Sequence, residues 1–125
     1  MHILFVDDER DFLELMEKRM ILRGIPAATA SNGDEALQCL EAAMQDGKPF
    51  DAVVLDVRMP GADGLEVLRR IKERAPQLPV ILLTGHASMG VAMQGLDLGA
   101  YDYMLKPIGI NELIIKLNEA TRMAA

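Results

Sequence analysis

Short apolar runs alternate with amphipathic segments along the whole chain. Three of the apolar runs are continuous rather than alternating, as expected for strands that are covered on both faces. A fourth, Ala27–Ala30, is weak and is predicted as a strand mainly because the alternation requires one. The five predicted strands are Ile3–Val6, Ala27–Ala30, Ala52–Leu55, Val80–Leu83 and Tyr103–Leu105.

The segments between these runs have the i, i+3, i+4, i+7 apolar spacing of helices with one buried face. They predict helices over Arg10–Arg23, Asp34–Gln45, Leu65–Arg74 and Ile110–Thr121, with a further helix at about Met89–Leu98. The residues predicted to face the core are Phe12, Leu15, Met16 and Met20; Leu37, Leu40, Ala43 and Met44; Leu65, Leu68 and Ile71; and Ile110, Leu113, Ile114 and Leu117.

Glycine and proline lie between the predicted elements, for example at Gly24–Pro26, Gly47–Pro49 and Pro60–Gly61. Five strands that alternate with five helices are typical of a doubly wound α/β domain. Right-handed connections in such a domain place helices on both faces of one parallel sheet. We therefore predict a single domain over residues 1–125, with a five-stranded parallel sheet at its centre.

Composition narrows the function classes. The chain has 125 residues, a net charge of −6 and only 4% aromatic residues. An acidic chain with few aromatic residues is a poor candidate for binding nucleic acid or an anionic membrane. The single cysteine, Cys39, excludes an internal disulfide and a site with several thiolates. No apolar run has the length of a signal peptide or a membrane span, so we expect a soluble, cytoplasmic protein.

Chemistry-bearing side chains gather at the carboxyl ends of the predicted strands. Asp7 and Asp8 follow the first strand, Asp56 the third, Thr84–Gly85 the fourth and Lys106–Pro107 the fifth. In a parallel sheet these ends meet at one edge, where ligands bind. Three carboxylates, a hydroxyl and an ammonium are therefore expected in one place.

Each of these residues also has an ordinary explanation. Asp8 could cap the first helix, Asp56 could accept from loop amides, Thr84 could be a plain strand residue, and Lys106 could be a solvated charge. Three carboxylates at one edge, however, need a nearby cation or a raised pKa. Lys106 together with a divalent metal would meet that need. Ligands that are all oxygen favour Mg²⁺, and the absence of His and Cys among them disfavours zinc.

This combination of groups suits phosphoryl transfer. The Asp56 carboxylate can attack phosphorus and form an aspartyl phosphate. The metal and Lys106 would neutralise the equatorial oxygens of the transition state. Thr84 could donate to a third oxygen, and Gly85 leaves room for that oxygen.

At these residues the sequence resembles the response-regulator receiver domains of two-component signalling. The resemblance covers essentially the whole chain. Its motifs, in order, are Val6–Glu9, Leu55–Gly61, Asp63–Gly64, Leu83–His86, Gly99–Tyr103 and Lys106–Pro107.

The resemblance implies a flavodoxin-like fold with strand order 2-1-3-4-5. It implies that Asp56 takes a phosphoryl group from a sensor histidine kinase and that Lys106 contacts that group. It also implies that Asp8, Asp56 and the backbone carbonyl of Arg58 bind Mg²⁺ directly, with Asp7 acting through a metal-bound water.

Receiver domains switch conformation, and the resemblance identifies Thr84 and Tyr103 as the switch pair. Thr84 would move toward the phosphoryl group while Tyr103 turns inward. The Lys106–Pro107 peptide bond is expected to be cis. Arg58 and His86 occupy positions that tune the lifetime of the phosphorylated state, although both could instead be plain solvated loop residues.

The face formed by the fourth helix, fifth strand and fifth helix is expected to control an output domain or partner protein. Dimerisation through this face on phosphorylation is an open alternative. Gly90 and Gly95 in the fourth helix indicate either a loosely held helix or close packing that needs glycine.

Two other functions compete with the phosphoacceptor switch. One is a receiver-like interaction module that never takes phosphate; such modules usually lack the acidic residues or the lysine that are present here. The other is a phosphatase with an aspartyl intermediate, of the haloacid-dehalogenase type. That pattern needs a second Asp two residues after the nucleophile, where this chain has Arg58.

Overall fold

A computed structural model describes residues 1–59 and 62–124 of the chain, so the predicted breaker Pro60–Gly61 lies outside the described residues. The main sheet contains β1 (Ile3–Val6), β2 (Ala27–Ala30), β3 (Ala52–Asp56), β4 (Val80–Thr84) and β5 (Asp102–Leu105). The helices are α1 (Arg10–Leu22), α2 (Gly33–Gln45), α3 (Gly64–Arg74), α4 (Met89–Asp97) and α5 (Ile110–Ala124).

The sheet is parallel throughout, with strand order β2-β1-β3-β4-β5. This confirms the predicted order and the doubly wound architecture. β3 is the central strand, and its register with β1 pairs Leu55 with Val6. Because the strands are parallel, their carboxyl ends form one edge of the sheet.

The core has two layers, one on each face of the sheet. Alternate residues of each strand point to opposite faces, so Ile3 and Phe5 pack with α1 and α5, whereas Leu4 and Val6 pack with α2, α3 and α4. The central strands β1, β3 and β4 are buried along their whole length. The edge strand β2 is mostly half-buried, which explains its weak apolar pattern.

The predicted core faces are correct except at two residues. Leu15 is 46% exposed, and the buried side chains of α1 are Leu13, Met16 and Met20. Leu15 lies outside this buried stripe, because each residue turns a helix by about 100° and Leu15 is displaced by that angle from Met16. Met44, near the end of α2, is also exposed.

The sequence pattern did not predict a short antiparallel ribbon between β3 and α3, formed by Arg58–Met59 and Ala62–Asp63. Nor did it predict a turn of 3₁₀ helix at His86–Ser88, between β4 and α4. Both lie in the loops that follow strand ends. The Lys106–Pro107 peptide bond is cis, as expected from the resemblance.

Gly64 permits a close contact beside the strand ends. A Cβ atom at this position would stand 2.5 Å from the backbone oxygen of Val57. A side chain would therefore push the start of α3 away from the residue that follows Asp56. Gly95 in α4 packs closely as well, since a Cβ there would stand 2.3 Å from a methyl of Leu82. Gly90 has open space around it.

Across the described part of the chain, no helix combines the length and apolar character needed to cross a bilayer.

Candidate functional site

Two buried carboxylates stand side by side at the edge where the strands end. Asp56 is the last residue of β3, and Asp7 directly follows β1 in the neighbouring register position. Asp7 is 1% exposed and Asp56 is 5% exposed. Each accepts a hydrogen bond of 3.0 Å from a backbone N–H two residues further on, that of Glu9 for Asp7 and that of Arg58 for Asp56. These bonds fix the direction of both carboxylates.

Lys106 joins the two carboxylates. Its Nζ donates to Asp7 Oδ2 at 2.8 Å and lies 3.3 Å from Asp56 Oδ2. Its backbone N–H donates to the carbonyl of Thr84 at 2.8 Å, which anchors the residue to the end of β4. The ammonium also lies 4.8 Å from the ring centre of Phe12 on α1. Lys106 is therefore held from three sides rather than free in solvent.

The electrostatics follow from this burial. Burial raises the pKa of Asp56, the charge of Asp7 raises it further, and the Arg58 N–H and Lys106 only partly offset them. For Lys106, burial alone would lower the pKa, but the hydrogen bond and charge of Asp7 and the charge of Asp56 outweigh it and raise the pKa. The site therefore favours the protonated, charged form of Lys106 and disfavours the ionised form of Asp56.

A third carboxylate makes the site a candidate for a divalent cation. One oxygen each from Asp7, Asp8 and Asp56 lies within 4.8 Å of the other two. Three carboxylates against the one ammonium of Lys106 leave two negative charges. Asp8 is exposed, so the cluster is open to solvent on its side. An all-oxygen donor set with two uncompensated charges fits Mg²⁺.

The ordinary explanations for these residues account for only part of the geometry. Asp56 does accept from a loop amide, but the N-cap of α1 is Glu9 and not Asp8. Lys106 pairs with two buried carboxylates, so it is not a solvated charge.

Thr84 and Tyr103 lie on the neighbouring strands β4 and β5, where Tyr103 pairs with Leu82, two residues before Thr84. Thr84 is fully buried at the end of β4, and its Oγ1 donates to the carbonyl of Gly85 at 3.0 Å. Tyr103 on β5 is half-buried and packs at the margin of the core layer that includes α4. Because strand residues alternate between faces, Thr84 and Tyr103 both point toward α4. Arg58 and His86 are exposed in the loops after β3 and β4.

Sequence reasoning missed three features of this region. Phe12 was assigned only to the core, yet its ring faces Lys106. Ser88 is 2% exposed, and its Oγ has no hydrogen-bond partner among the described residues. Lys116 of α5 donates to Asp102 of β5 at 2.6 Å. No local sequence pattern predicts these three features, because each depends on how a helix or loop packs against a strand that is distant in the sequence.

The chain is similar to known proteins over nearly its whole length. Residues 3–118 match the family model described as response regulator receiver domain. The chain is 40% identical over 121 residues to the uncharacterized transcriptional regulatory protein YkoG of Bacillus subtilis, covering 97% of the chain and 51% of YkoG. It is 36% identical over 115 residues to the DNA-binding transcriptional regulator NtrC of Escherichia coli, covering 92% of the chain and 24% of NtrC.

The fold has close counterparts among solved structures. A response regulator receiver domain protein from Clostridium thermocellum superimposes with a TM-score of 0.87 at 32% identity, over 98% of the chain and 94% of that protein. The chain thus spans about half the length of YkoG and about a quarter of NtrC, but nearly all of this solved structure.

Proposed function

Since the chain belongs to the response regulator receiver domain family, we propose that it is a Mg²⁺-dependent phosphoacceptor switch with Asp56 as the acceptor. The observation that carries this proposal is the buried pair Asp7 and Asp56, bridged by Lys106 and joined by a third carboxylate on Asp8. Residues 1–125 would act as one receiver domain.

The phosphoryl donor is a phosphohistidine of a sensor histidine kinase. A carboxylate oxygen of Asp56 attacks phosphorus, the P–N bond breaks, and the imidazole nitrogen keeps the electron pair and takes a proton from solvent. The Lys106 ammonium lies 3.3 Å from Asp56 Oδ2 and would pair with the negative charge of the phosphoryl oxygens once the group is attached to Asp56.

Mg²⁺ would be held by Asp8, Asp56 and the backbone carbonyl of Arg58, with Asp7 acting through a bound water. When bound, it supplies positive charge for the phosphoryl oxygens. The Lys106 ammonium already contacts one oxygen each of Asp7 and Asp56. These two carboxylates would therefore interact with the ammonium and with the metal at the same time.

Phosphorylation would be read by Thr84 and Tyr103. The Thr84 hydroxyl leaves the Gly85 carbonyl and donates to a phosphoryl oxygen, which vacates space on the α4 side of the sheet. Tyr103, half-buried on the neighbouring strand, turns into that space. The change would be passed to an output domain or partner protein through the face made by α4, β5 and α5.

The signal would end by hydrolysis of the aspartyl phosphate by the domain itself. A water oxygen attacks phosphorus, the bond to Asp56 breaks, and inorganic phosphate leaves. Arg58 and His86 are exposed beside the strand ends, where they can affect the approach of that water. The domain is otherwise a signalling unit and not an enzyme acting on a separate substrate.

Both curated relatives named above are transcriptional regulators and are longer than this chain. We propose that this domain likewise controls transcription from the cytoplasm, without touching DNA or a membrane itself. A net charge of −6 disfavours binding to DNA or to an anionic membrane, which agrees with the proposal that this domain contacts neither. Phosphorylation-dependent dimerisation through the α4/β5/α5 face is a further outcome to be measured.

Intact-mass spectrometry after incubation with acetyl phosphate tests the proposal. The wild-type chain is expected to gain one phosphoryl group in the presence of Mg²⁺ and none in EDTA. Asp56→Asn is expected to gain none in either condition. Asp51→Asn is the matched control, because Asp51 is an exposed carboxylate at the opposite end of the same strand.

Absence of an adduct calls for a second measurement, binding of beryllofluoride in the presence of Mg²⁺. Binding without an accumulated adduct means that hydrolysis outpaces phosphorylation. Failure of both measurements would overturn the phosphoacceptor proposal and favour a phosphate-independent interaction module. An adduct that persists in Asp56→Asn would assign the acceptor to another residue.

A further inference from the structure

Ser88 is an anomaly of the loop that leads from β4 to α4. Its hydroxyl is buried, and no group among residues 1–59 and 62–124 forms a hydrogen bond with it. Serine is a preferred N-cap residue, and Ser88 occupies the N-cap of α4, yet its side chain makes no capping bond. A buried hydroxyl without a partner is costly, so its retention needs an explanation.

The Gly85 carbonyl connects Ser88 with Thr84. This oxygen accepts from Thr84 Oγ1 at 3.0 Å and from the backbone N–H of Ser88 at 3.0 Å. A serine hydroxyl commonly donates to the carbonyl three residues before it, which for Ser88 is that of Gly85. The unpartnered hydroxyl thus stands one side-chain rotation from an acceptor that Thr84 now uses.

We infer that Ser88 is a positioning residue of the switch, whose hydroxyl replaces that of Thr84 on the Gly85 carbonyl when Thr84 turns to the phosphoryl group. The inference rests on the proposed function and adds a residue to it. In the resting state the Ser88 hydroxyl is unsatisfied, and in the activated state it is bonded. The exchange keeps the Gly85 carbonyl satisfied and favours the activated state.

The exchange also links the phosphoryl site to α4. Ser88 begins this helix, so a new bond from its side chain would change how the first turn of α4 sits against β4. α4 buries few residues, Ala92 and Gly95, and is therefore easily repositioned.

The test compares wild type and Ser88→Ala in two states, with Mg²⁺ alone and with Mg²⁺ plus beryllofluoride. With Mg²⁺ alone, the alanine variant is expected to unfold at the same temperature as wild type or higher, because it loses only an unsatisfied group. With beryllofluoride, it is expected to gain less stability, and its beryllofluoride affinity should fall about fivefold, the effect of one lost hydrogen bond. Its affinity for Mg²⁺ should not change.

A double-mutant cycle with Thr84→Ala identifies the partner of the hydroxyl. In Thr84→Ala the Gly85 carbonyl lacks its side-chain donor in both states, so Ser88 can bond to it in both. Adding Ser88→Ala in that background is then expected to leave beryllofluoride affinity unchanged. An affinity loss that persists there would mean that Ser88 acts elsewhere, for example as a helix cap, and would overturn the inference.

The remaining outcomes are also decisive. If Ser88→Ala destabilises the protein in Mg²⁺ alone, the hydroxyl is already satisfied at rest and the inference is wrong. If wild type binds beryllofluoride and Ser88→Ala binds it equally well, the inference fails while the proposed function stands. If wild type neither gains a phosphoryl group from acetyl phosphate nor binds beryllofluoride, the proposed function fails and the inference fails with it.

Discussion

Replacing Asp56 with asparagine should stabilise the protein in the absence of Mg²⁺, although it removes a charge that is partly paired. At an effective dielectric constant of about 20, Lys106 at 3.3 Å attracts a charge on Asp56 by about 5 kcal/mol. Asp7, within 4.8 Å, repels it by about 3.5 kcal/mol at the same dielectric constant. The exposed Asp8 adds a smaller, solvent-screened repulsion.

Attraction and repulsion therefore nearly cancel, and the cost of burying the Asp56 carboxylate remains. Asparagine avoids that cost and keeps an oxygen to accept from the Arg58 N–H. Lys106 then forms a simple pair with Asp7 at 2.8 Å. We expect Asp56→Asn to raise the free energy of unfolding by about 2 kcal/mol, or the melting temperature by roughly 8 °C for a domain of this size.

The assay is urea and thermal unfolding followed by far-ultraviolet circular dichroism in EDTA, since the chain contains no Trp. The native state binds the Asp56 proton more tightly than the unfolded chain does, because its pKa is raised from 3.8. A group of this kind stabilises the fold while protonated and loses that contribution as pH rises through the raised pKa. The advantage of Asp56→Asn should thus be largest at pH values above the raised pKa of Asp56 and should shrink as the pH falls through that pKa.

Asp51→Asn serves as the control and should change stability by less than about 0.5 kcal/mol, because Asp51 is exposed. A variant Asp56→Asn that is less stable than wild type at pH 7 would refute the argument. So would a stability difference that does not depend on pH.

Four further predictions test other parts of the structure. Lys106→Met leaves two buried carboxylates unpaired and should lower the unfolding free energy by about 3 kcal/mol in EDTA, with partial recovery in Mg²⁺; unchanged urea unfolding would contradict the assigned contacts. Gly64→Ala should lower the free energy of unfolding by about 2 kcal/mol or more, because its Cβ would clash with the backbone of Val57. Gly90→Ala should leave that free energy unchanged or raise it, because Gly90 has open space around it. Equal effects of the two substitutions would contradict this prediction. Replacing Arg58 and His86 together by alanine should change the half-life of the aspartyl phosphate, measured by decay of the phosphorylated mass, and an unchanged half-life would make them plain loop residues. Amides of α4 should exchange with deuterium faster than those of α3, which buries more side chains. Equal protection would mean that the close packing at Gly95 holds α4 as firmly as α3.

The local pattern was sufficient for the five strands of the main sheet and the five α-helices because burial in these elements is periodic. A fully covered strand such as β3 must be continuously apolar, and a helix such as α3 must carry an apolar stripe. The predicted core residues were wrong where a side chain lies at the margin of a buried helix face rather than at its centre. Leu15 is the clearest case, because the sequence does not reveal how far the apolar stripe of α1 is rotated toward the sheet.

The grouping of Asp7, Asp8, Asp56 and Lys106 also followed from sequence, because parallel strands bring their carboxyl ends to one edge whatever the details of packing. Residue type and chain position thus determined which groups meet. Only the tertiary structure decided the features that depend on side-chain direction. These are the ring of Phe12 beside Lys106 and the burial of the Ser88 hydroxyl without a hydrogen-bond partner among the residues that the structure describes. Such contacts join elements distant in the chain, or depend on a loop turn, at distances of a few ångströms. They are fixed by how helices and loops lie on the sheet, which no local spacing encodes.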